Sequence, residues 1–342
     1  MRFGLLLLTL ALLIAVIGES PVEVAKVFYW SVFSSADNFS YVLYYVVPLL
    51  LTGTSVWFAL QVGLFSIGAE GQMYIGAVTS AAVGIFAKKY LLGNGFDLGA
   101  LFWIVSAFIL SFSMSGIWAL VAGYLRVKFG THEVIATILL NFIALAFSNW
   151  AILYPLKNIE TQNVQTEQVA RFLQIPYVWH HAPAGILIVP IFCLVAFLII
   201  RKTWWGFRIR TVGKNPKAAE IAGINTPRTI LMAMFISGGL AGLAGFHEVF
   251  CSSYKLLDGF SPGYGFTGIA IALMCRGNLV ALFLSAFLFA ALHKGALDLD
   301  IETDKITKDL ALVIQALMLL FISLNLKGIK KWKPFGRLLK QS

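Results

Sequence analysis

The stretch GLFSIGAEGQMYIGA, residues 63–77, joins two long apolar runs, yet it carries four glycines, one carboxylate and one amide. Glu70 is the only charged residue between Asp37 and Lys88. A carboxylate at the bilayer centre costs about 2.5–3.5 kcal/mol on insertion scales. Two placements avoid that cost. Glu70 either ties together helix ends at a glycine-broken junction, or it lines a polar cavity, where irregular backbone is tolerated. Gly63, Gly68 and Gly71 permit both the break and close helix contact. Gln72 shares the two alternatives. The Ser66 hydroxyl serves either its own backbone or a solute.

Outward from this stretch, the chain reads as membrane-embedded. Of its 342 residues 12% are charged, about half the share in a soluble domain. The apolar residues gather in ten runs: 3–18, 42–62, 71–87, 99–125, 133–153, 183–200, 229–250, 264–275, 279–297 and 310–326. About 20 apolar residues cross a bilayer as a helix. The expectation is an all-α polytopic membrane protein with about ten transmembrane helices. The eighth run is short, and is either half-inserted or extended into 260–263. The first run has a signal-like layout but no clean small-x-small cleavage pattern, so it is expected to stay as an anchor helix.

Charge sets the orientation. The net charge of +10 is concentrated between and after apolar runs, which speaks for the positive-inside rule and against a nucleic-acid partner. Segment 201–228 holds seven Lys and Arg against Glu220, and the tail after 326 is basic without an acid. Both are expected in the cytoplasm. The acid-rich segments 19–41 and 298–309 are expected outside, which gives both termini cytoplasmic. Lys88 and Lys89 dissent, falling on the outer side. The polar outer segment 154–182 suggests a short interfacial helix. Its adjacent His180 and His181 do not share a helix face, so they read as interface-seated residues and not metal ligands. Cys193, Cys251 and Cys275 have no ligand spacing and read as small hydrophobes.

Several activities are excluded. No G-x-x-x-x-G-K-[ST] phosphate loop is present. The stretch ISGGLAGLAG, 236–245, lies inside an apolar run and reads as a helix-packing face. No run carries a chain of ionisable residues like a proton relay, and no carboxylates are spaced for hydrolysis. The chain is not expected to be an enzyme. It reads as a pathway driven by something else.

In THEVIATILLNFIALAFSNW, 131–150, Thr131 to Glu133 look like a helix start. Thr137, Asn141 and Ser148 recur on one face, with Asn149 adjacent. Such groups need partners in an apolar setting: either a neighbouring helix or a hydroxyl-rich solute. Phe142, Trp150 and Phe246 either stack on a ligand ring or pack.

The segment RKTWWGFRIRTVGKNPKAAEIAGINTPR, 201–228, predicts a short helix capped by Asn215, with Pro216 at an early position and Gly223 or the Asn225–Pro227 turn at its end. Small Ala218, Ala219 and Ala222 admit a close partner. KAAEIAG resembles the E-A-A-x-x-x-G coupling motif of ABC importer permeases, with Lys217 where that pattern has Glu. GLFSIGAEGQMYIGA, THEVIATILLNFIAL and GKNPKAAEIAGI, in this order along the chain, resemble the simple-sugar and nucleoside branch of that family, over about 40–330. The resemblance implies a single transmembrane permease domain over 1–342, in the inner membrane of a prokaryote, that conducts a nucleoside or simple sugar. It implies a second, related permease, a cytoplasmic ATPase that holds ATP and magnesium, and an outer substrate-binding lipoprotein. This chain itself is expected to bind no cofactor. Asn215, Pro216, Ala218, Ala219, Glu220 and Gly223 are then the ATPase-coupling residues. Ser66, Glu70, Gln72, Thr137, Asn141, Phe142 and Asn149 are candidates for the pathway, and His247 and Glu248 for contact with the binding protein. The alternative is a secondary transporter or channel that works alone. A Gly-rich motif followed by apolar runs occurs at 63–125 and again from 259, a faint internal repeat.

Overall fold

The computed structural model describes residues 18–90, 98–275 and 277–302, together with residues 11, 14, 15, 313 and 316. The first and last apolar runs lie almost wholly outside the described residues, and so do both termini. The elements are helices α1 (Pro21–Phe33), α2 (Ala36–Gln61), α3 (Ala69–Tyr90), α4 (Leu98–Phe129) and α5 (Glu133–Leu153). A two-stranded ribbon β1 (Tyr177–Trp179) and β2 (Ala182–Pro183) follows. Then come α6 (Gly185–Lys202), α7 (Trp204–Lys214), α8 (Pro216–Ile221), α9 (Thr226–His247), α10 (Tyr264–Cys275) and α11 (Leu279–Glu302). Among the described residues, six helices are long and apolar enough to cross a membrane: 36–61, 99–129, 133–153, 185–202, 226–252 and 279–302. The 12-residue α10 is about 18 Å long, too short for a hydrocarbon core of about 30 Å. The eighth run is thus a half-helix.

The chain divides into two units, 31–294 and the two flanking segments. In the flanking unit, Ile14, Val24 and Leu299 form a small apolar cluster with Val27 and Phe28. In the main unit α2 is the central element, buried from Val46 to Ala59, and α3, α6, α9 and α10 pack around it. α4 covers α3 and α9, and α5 lies along α3.

Small residues set how close these helices come. A Cβ on Gly76 of α3 would collide with the Gly242 backbone of α9, and a Cβ on Gly242 would collide with Ser115 of α4. Three helices therefore meet at backbone distance, as the stretch 236–245 predicted. Where dispersion replaces the hydrophobic effect as the driving force, such contact supplies the packing energy. Hydroxyls add to it. Ser55 donates to the Ser237 carbonyl at 2.7 Å and Ser237 donates back to the Ser55 carbonyl at 2.8 Å.

The segment 154–182 corrects one expectation. It contains no α-helix. It is held by isolated bridges (Lys157 with Thr166, Gln165 with Leu257), a 3-10 turn at Arg171–Leu173 and the β1–β2 ribbon. Its polar half satisfies its backbone by pairing with the 254–258 loop, so no amphipathic helix is needed. The ribbon turn separates the two histidines. His180 Nδ1 pairs with Asp37 at 2.8 Å, and His181 stacks on Tyr41 at 4.1 Å between ring centres. The dissenting Lys88 meets Glu167 of the same segment at 2.9 Å, so its charge is answered on that side. The Lys89 side chain lies outside what is described. All three cysteines are buried and unpaired.

Gly242→Leu should force α3, α4 and α9 apart and destabilise the bundle by about 3 kcal/mol, or prevent folding. The check is the thermal midpoint and size-exclusion profile of the detergent-solubilised chain. A variant as heat-stable as the wild type would contradict this packing.

Candidate functional site

The centre of the molecule is an unwound segment, 62–68, between α2 and α3. Its first three N–H groups bond back to Ala59 and Leu60 of α2, but from Phe65 on no helical acceptor serves it, and most of it is buried or half-buried. Unpaired amides there would cost several kcal/mol. One face of α5 meets the need. The Phe65 N–H donates to Glu133 Oε1 at 3.4 Å, and the Ile67 N–H to Thr137 Oγ1 at 3.2 Å. Asn141 works in both directions: its Nδ2 donates to the Ile67 carbonyl at 2.9 Å and its Oδ1 accepts from the Gly71 N–H at 2.9 Å. Residues 133, 137 and 141 are spaced four apart, so they stand one above another on one helix face. Glu133 is also paired with Arg126 at 3.5 Å.

A second break matches the first. Phe65-Ser66-Ile67-Gly68 is followed at once by α3, and Phe260-Ser261-Pro262-Gly263 is followed at once by α10. In both, the serine hydroxyl accepts from the glycine N–H two residues on, at 3.3 Å for Gly68 and 3.2 Å for Gly263. Ser261 also accepts from the Tyr264 N–H at 3.2 Å. The two helix starts abut. A Cβ on Gly265 would collide with the Glu70 backbone, so only glycine admits this approach. The Glu70 carboxylate closes the junction: Oε2 accepts from the Gly265 N–H at 2.6 Å, and Ser261 bonds the same carboxylate. Depth follows from α2. The Thr52 hydroxyl donates to the Tyr264 carbonyl at 3.1 Å, and Thr52 stands nine residues before the end of α2 at Gln61, which is about 14 Å of helix. The junction therefore lies near the middle of the span.

The expected pathway residues separate by their bonding. Ser66, Glu70, Thr137 and Asn141 are engaged with backbone. Gln72 is buried, and its Oε1 makes no hydrogen bond; the same is true of Asn149 Oδ1 and Ser148 Oγ. Phe142 lies on the outward face of α5, 66% exposed, away from the junction. Trp150 shares that exposed face, and Phe246 is buried in a core with Phe250 and Phe108.

His247 and Glu248 correct another expectation. They are 3% and 5% exposed, inside the bundle at the end of α9, where five residues, Glu248–Ser252, form a π-turn. Tyr44 and Ser253 hydroxyls donate to Glu248. Every residue from Ser237 to Ser252 is buried, so this stretch is enclosed on all sides and neither side chain offers a surface to a second protein.

The 201–228 segment folds as expected and adds one residue. Asn215 Oδ1 accepts from the Ala218 N–H at 3.1 Å, and Pro216 occupies the first turn of α8. Ala219 is the buried anchor, while Pro216, Lys217, Ala218, Glu220 and Gly223 face outward. Gly223 ends the turn at φ +76°, with its N–H donating to the Glu220 carbonyl at 2.9 Å. Ile221 is 90% exposed at the tip, a large apolar side chain facing outward. The sequence signal was available: an isoleucine between the polar and small residues of a six-residue capped helix. The preceding α7 is amphipathic, with Trp204, Trp205 and Phe207 exposed. Its Gly213 lies against Gly63, with 3.2 Å from a Cβ on Gly63 to the Gly213 backbone.

Residues 38–323 match the family described as branched-chain amino acid transport system, permease component. The chain is 33% identical to the guanosine ABC transporter permease protein NupP of Bacillus subtilis, over 81% of this chain and 78% of that one. It is 28% identical to the glucose ABC transporter permease protein TsgB13 of Haloferax volcanii, over 88% and 80%. It is 25% identical to a second Bacillus subtilis guanosine permease protein, NupQ, over 71% and 72%.

Replacement of Glu70 tests the junction. Glu70→Gln keeps an acceptor for the Gly265 N–H, while Glu70→Leu leaves two helix starts facing an apolar side chain. The leucine variant should lose about 2–3 kcal/mol, the value of a charge-assisted hydrogen bond, and the glutamine variant less. Thermal midpoints in detergent read the difference, and equal losses would show that the acceptor is not what matters.

Proposed function

We infer the function of this chain from its family: it belongs to the permease components of branched-chain amino acid transport systems, and it is the membrane-spanning permease subunit of an ABC transporter. We propose that it carries a nucleoside or a simple sugar inward. The guanosine and glucose permeases among its relatives support that class of solute. The match to two guanosine permease proteins of one organism supports a second, related permease as partner. The observation that carries the coupling is α8, a capped helix with an anchored Ala219 and a bare Ile221 at its tip. It suits a cytoplasmic ATPase, which takes the 201–228 face as the inner one, in keeping with its basic charge.

The pathway runs past the paired breaks at mid-depth, where half-helix starts and irregular backbone characterise transporter sites. Glu70, Thr137 and Asn141 build its wall. Gln72, with an acceptor left over, offers the hydrogen bond to a hydroxyl-bearing solute.

Three experiments test this. Reconstituted with its ATPase, partner permease and binding protein, the chain should support ATP-dependent uptake of labelled guanosine or glucose; uptake by this chain alone without ATP would overturn the reading. Within that complex, Ile221→Glu should abolish co-purification of the ATPase without lowering membrane insertion. Gln72→Leu separates pathway from fold. It removes an unsatisfied acceptor, so stability should hold or rise, while uptake falls by about tenfold. Unchanged uptake would remove Gln72 from the pathway.

A further inference from the structure

A cavity of about 950 Å³ opens on the α8 side of the bundle, between the ends of α2, α6, α7 and α10. Its lining includes Trp57, Arg201, Lys202, Arg210, Lys214 and Gly277, and no acidic side chain among the described residues. Part of this charge has an ordinary use. Cations near the ends of α2, α6 and α10 answer the negative ends of helix dipoles. Arg201 donates to the Gly277 carbonyl, and Arg210 Nη1 donates to the Arg201 carbonyl at 3.4 Å. Each guanidinium keeps further N–H groups, and Lys202 and Lys214 add two ammonium groups.

Trp57 is not accounted for in that way. It is 2% exposed and its ring stacks on Phe197 at 3.9 Å, with 3° between planes. Its Nε1–H has no hydrogen-bond partner. A buried orphan donor costs about 1–3 kcal/mol, so it calls for a missing acceptor. The donor sits beside the cavity floor. The point where a Cβ would stand on Gly277 is 3.9 Å from Trp57 Nε1 and 3.8 Å from Arg201 Nη2. Gly277 has φ +77° and leaves that point empty. An indole nitrogen and the Arg201 guanidinium thus lie within 4 Å of one point, and three further cations, Lys202, Arg210 and Lys214, line the same cavity.

We propose that this cavity is a binding site for a phosphate group, with Trp57 Nε1–H and Arg201 as inner donors and Lys202, Arg210 and Lys214 as the outer ring. The exposed aromatic face of α7 beside it marks the bilayer interface, where lipid phosphates lie. A basic pocket between helices on this side suits an anionic headgroup. Free phosphate offers the same oxygens. The inference stands apart from the transport reading and needs neither a solute nor an ATPase.

The full chain, purified in neutral detergent and stripped of lipid, is titrated separately with a short-chain phosphatidylglycerol, with phosphatidylcholine and with inorganic phosphate, and its thermal midpoint is followed. A saturable rise with phosphatidylglycerol alone assigns the site to lipid headgroups. A saturable rise with inorganic phosphate as well shows that the phosphate group suffices. In either case Arg210→Gln and Trp57→Phe should each weaken the apparent affinity by about tenfold, the effect of one lost charge-assisted hydrogen bond. Trp57→Phe preserves the stack on Phe197 and removes only the donor. No saturable rise with any probe, an equal rise with phosphatidylcholine, or affinities unchanged in both variants would overturn the proposal.

Discussion

Everything in the main unit is arranged around one requirement: backbone that leaves the helix inside an apolar interior must still be hydrogen-bonded. The break at 62–68 exists because α3 must start at half depth, beside the start of α10. Once the break is there, a polar face on a neighbouring helix becomes obligatory. α5 supplies it with Glu133, Thr137 and Asn141, one per turn. An isolated Asn in such a helix is costly, but here it replaces the two backbone bonds that a continuous helix would have made. These three polar residues of α5 are therefore explained by the chain opposite them before any solute is considered.

The junction itself has an electrostatic difficulty. A helix start carries about half a positive charge, and two starts in contact repel in a poorly screened interior. Glu70 lies in the first turn of α3 and accepts from the second residue of α10, so one carboxylate answers both. This removes most of the penalty of placing it there. The same pairing explains why the F-S-x-G sequence occurs twice: each copy supplies a serine that ties its own turn and a glycine from which the helix departs. α3 and α10 start from one point, and the 12-residue α10 runs only part of the way across.

Much of this was legible in the sequence, and the failures have physical reasons. Apolar run length located the helices, because the bilayer sets that length. Asn215 and Pro216 located α8, because capping is local. The choice at Glu70 was framed as tying helix ends or lining a cavity, and its bonding favours the tie. A Gly-rich motif was visible as a faint repeat, but the F-S-x-G pair within it and its meaning needed Gly265, which lies 195 residues from Glu70. His247 and Glu248 were read as outer contacts because they stand near the end of an apolar run, whereas the packing that encloses this end on all sides comes from distant segments. Phe142 was considered as a ring for stacking or packing, and it stands beside Asn141 in sequence, but neighbours on a helix differ by about 100° in direction and Phe142 faces outward. Segment 154–182 resembled an amphipathic helix because its pairing partner, 254–258, lies far along the chain.

The packing of α7 links these features. α8 is capped by Asn215, the residue after α7, and Gly213 near the end of α7 lies against Gly63 at the start of the break. Neither glycine has a side chain to cushion the contact, so a displacement of α8 is passed from backbone to backbone. On the other side of that contact the chain is not a helix. It is held by side-chain bonds to α5, which can shorten, lengthen or exchange without unwinding a helical ladder. A rigid movement of α8 would therefore be absorbed first in the break, and then appear at the Glu70–Gly265 junction, three residues further on from Ile67. In the transport reading this places the moving part of the pathway in the 62–68 segment, and it leaves the α2–α4–α9 core, stitched by Ser55, Ser237 and the glycine contacts, as the fixed frame against which it moves.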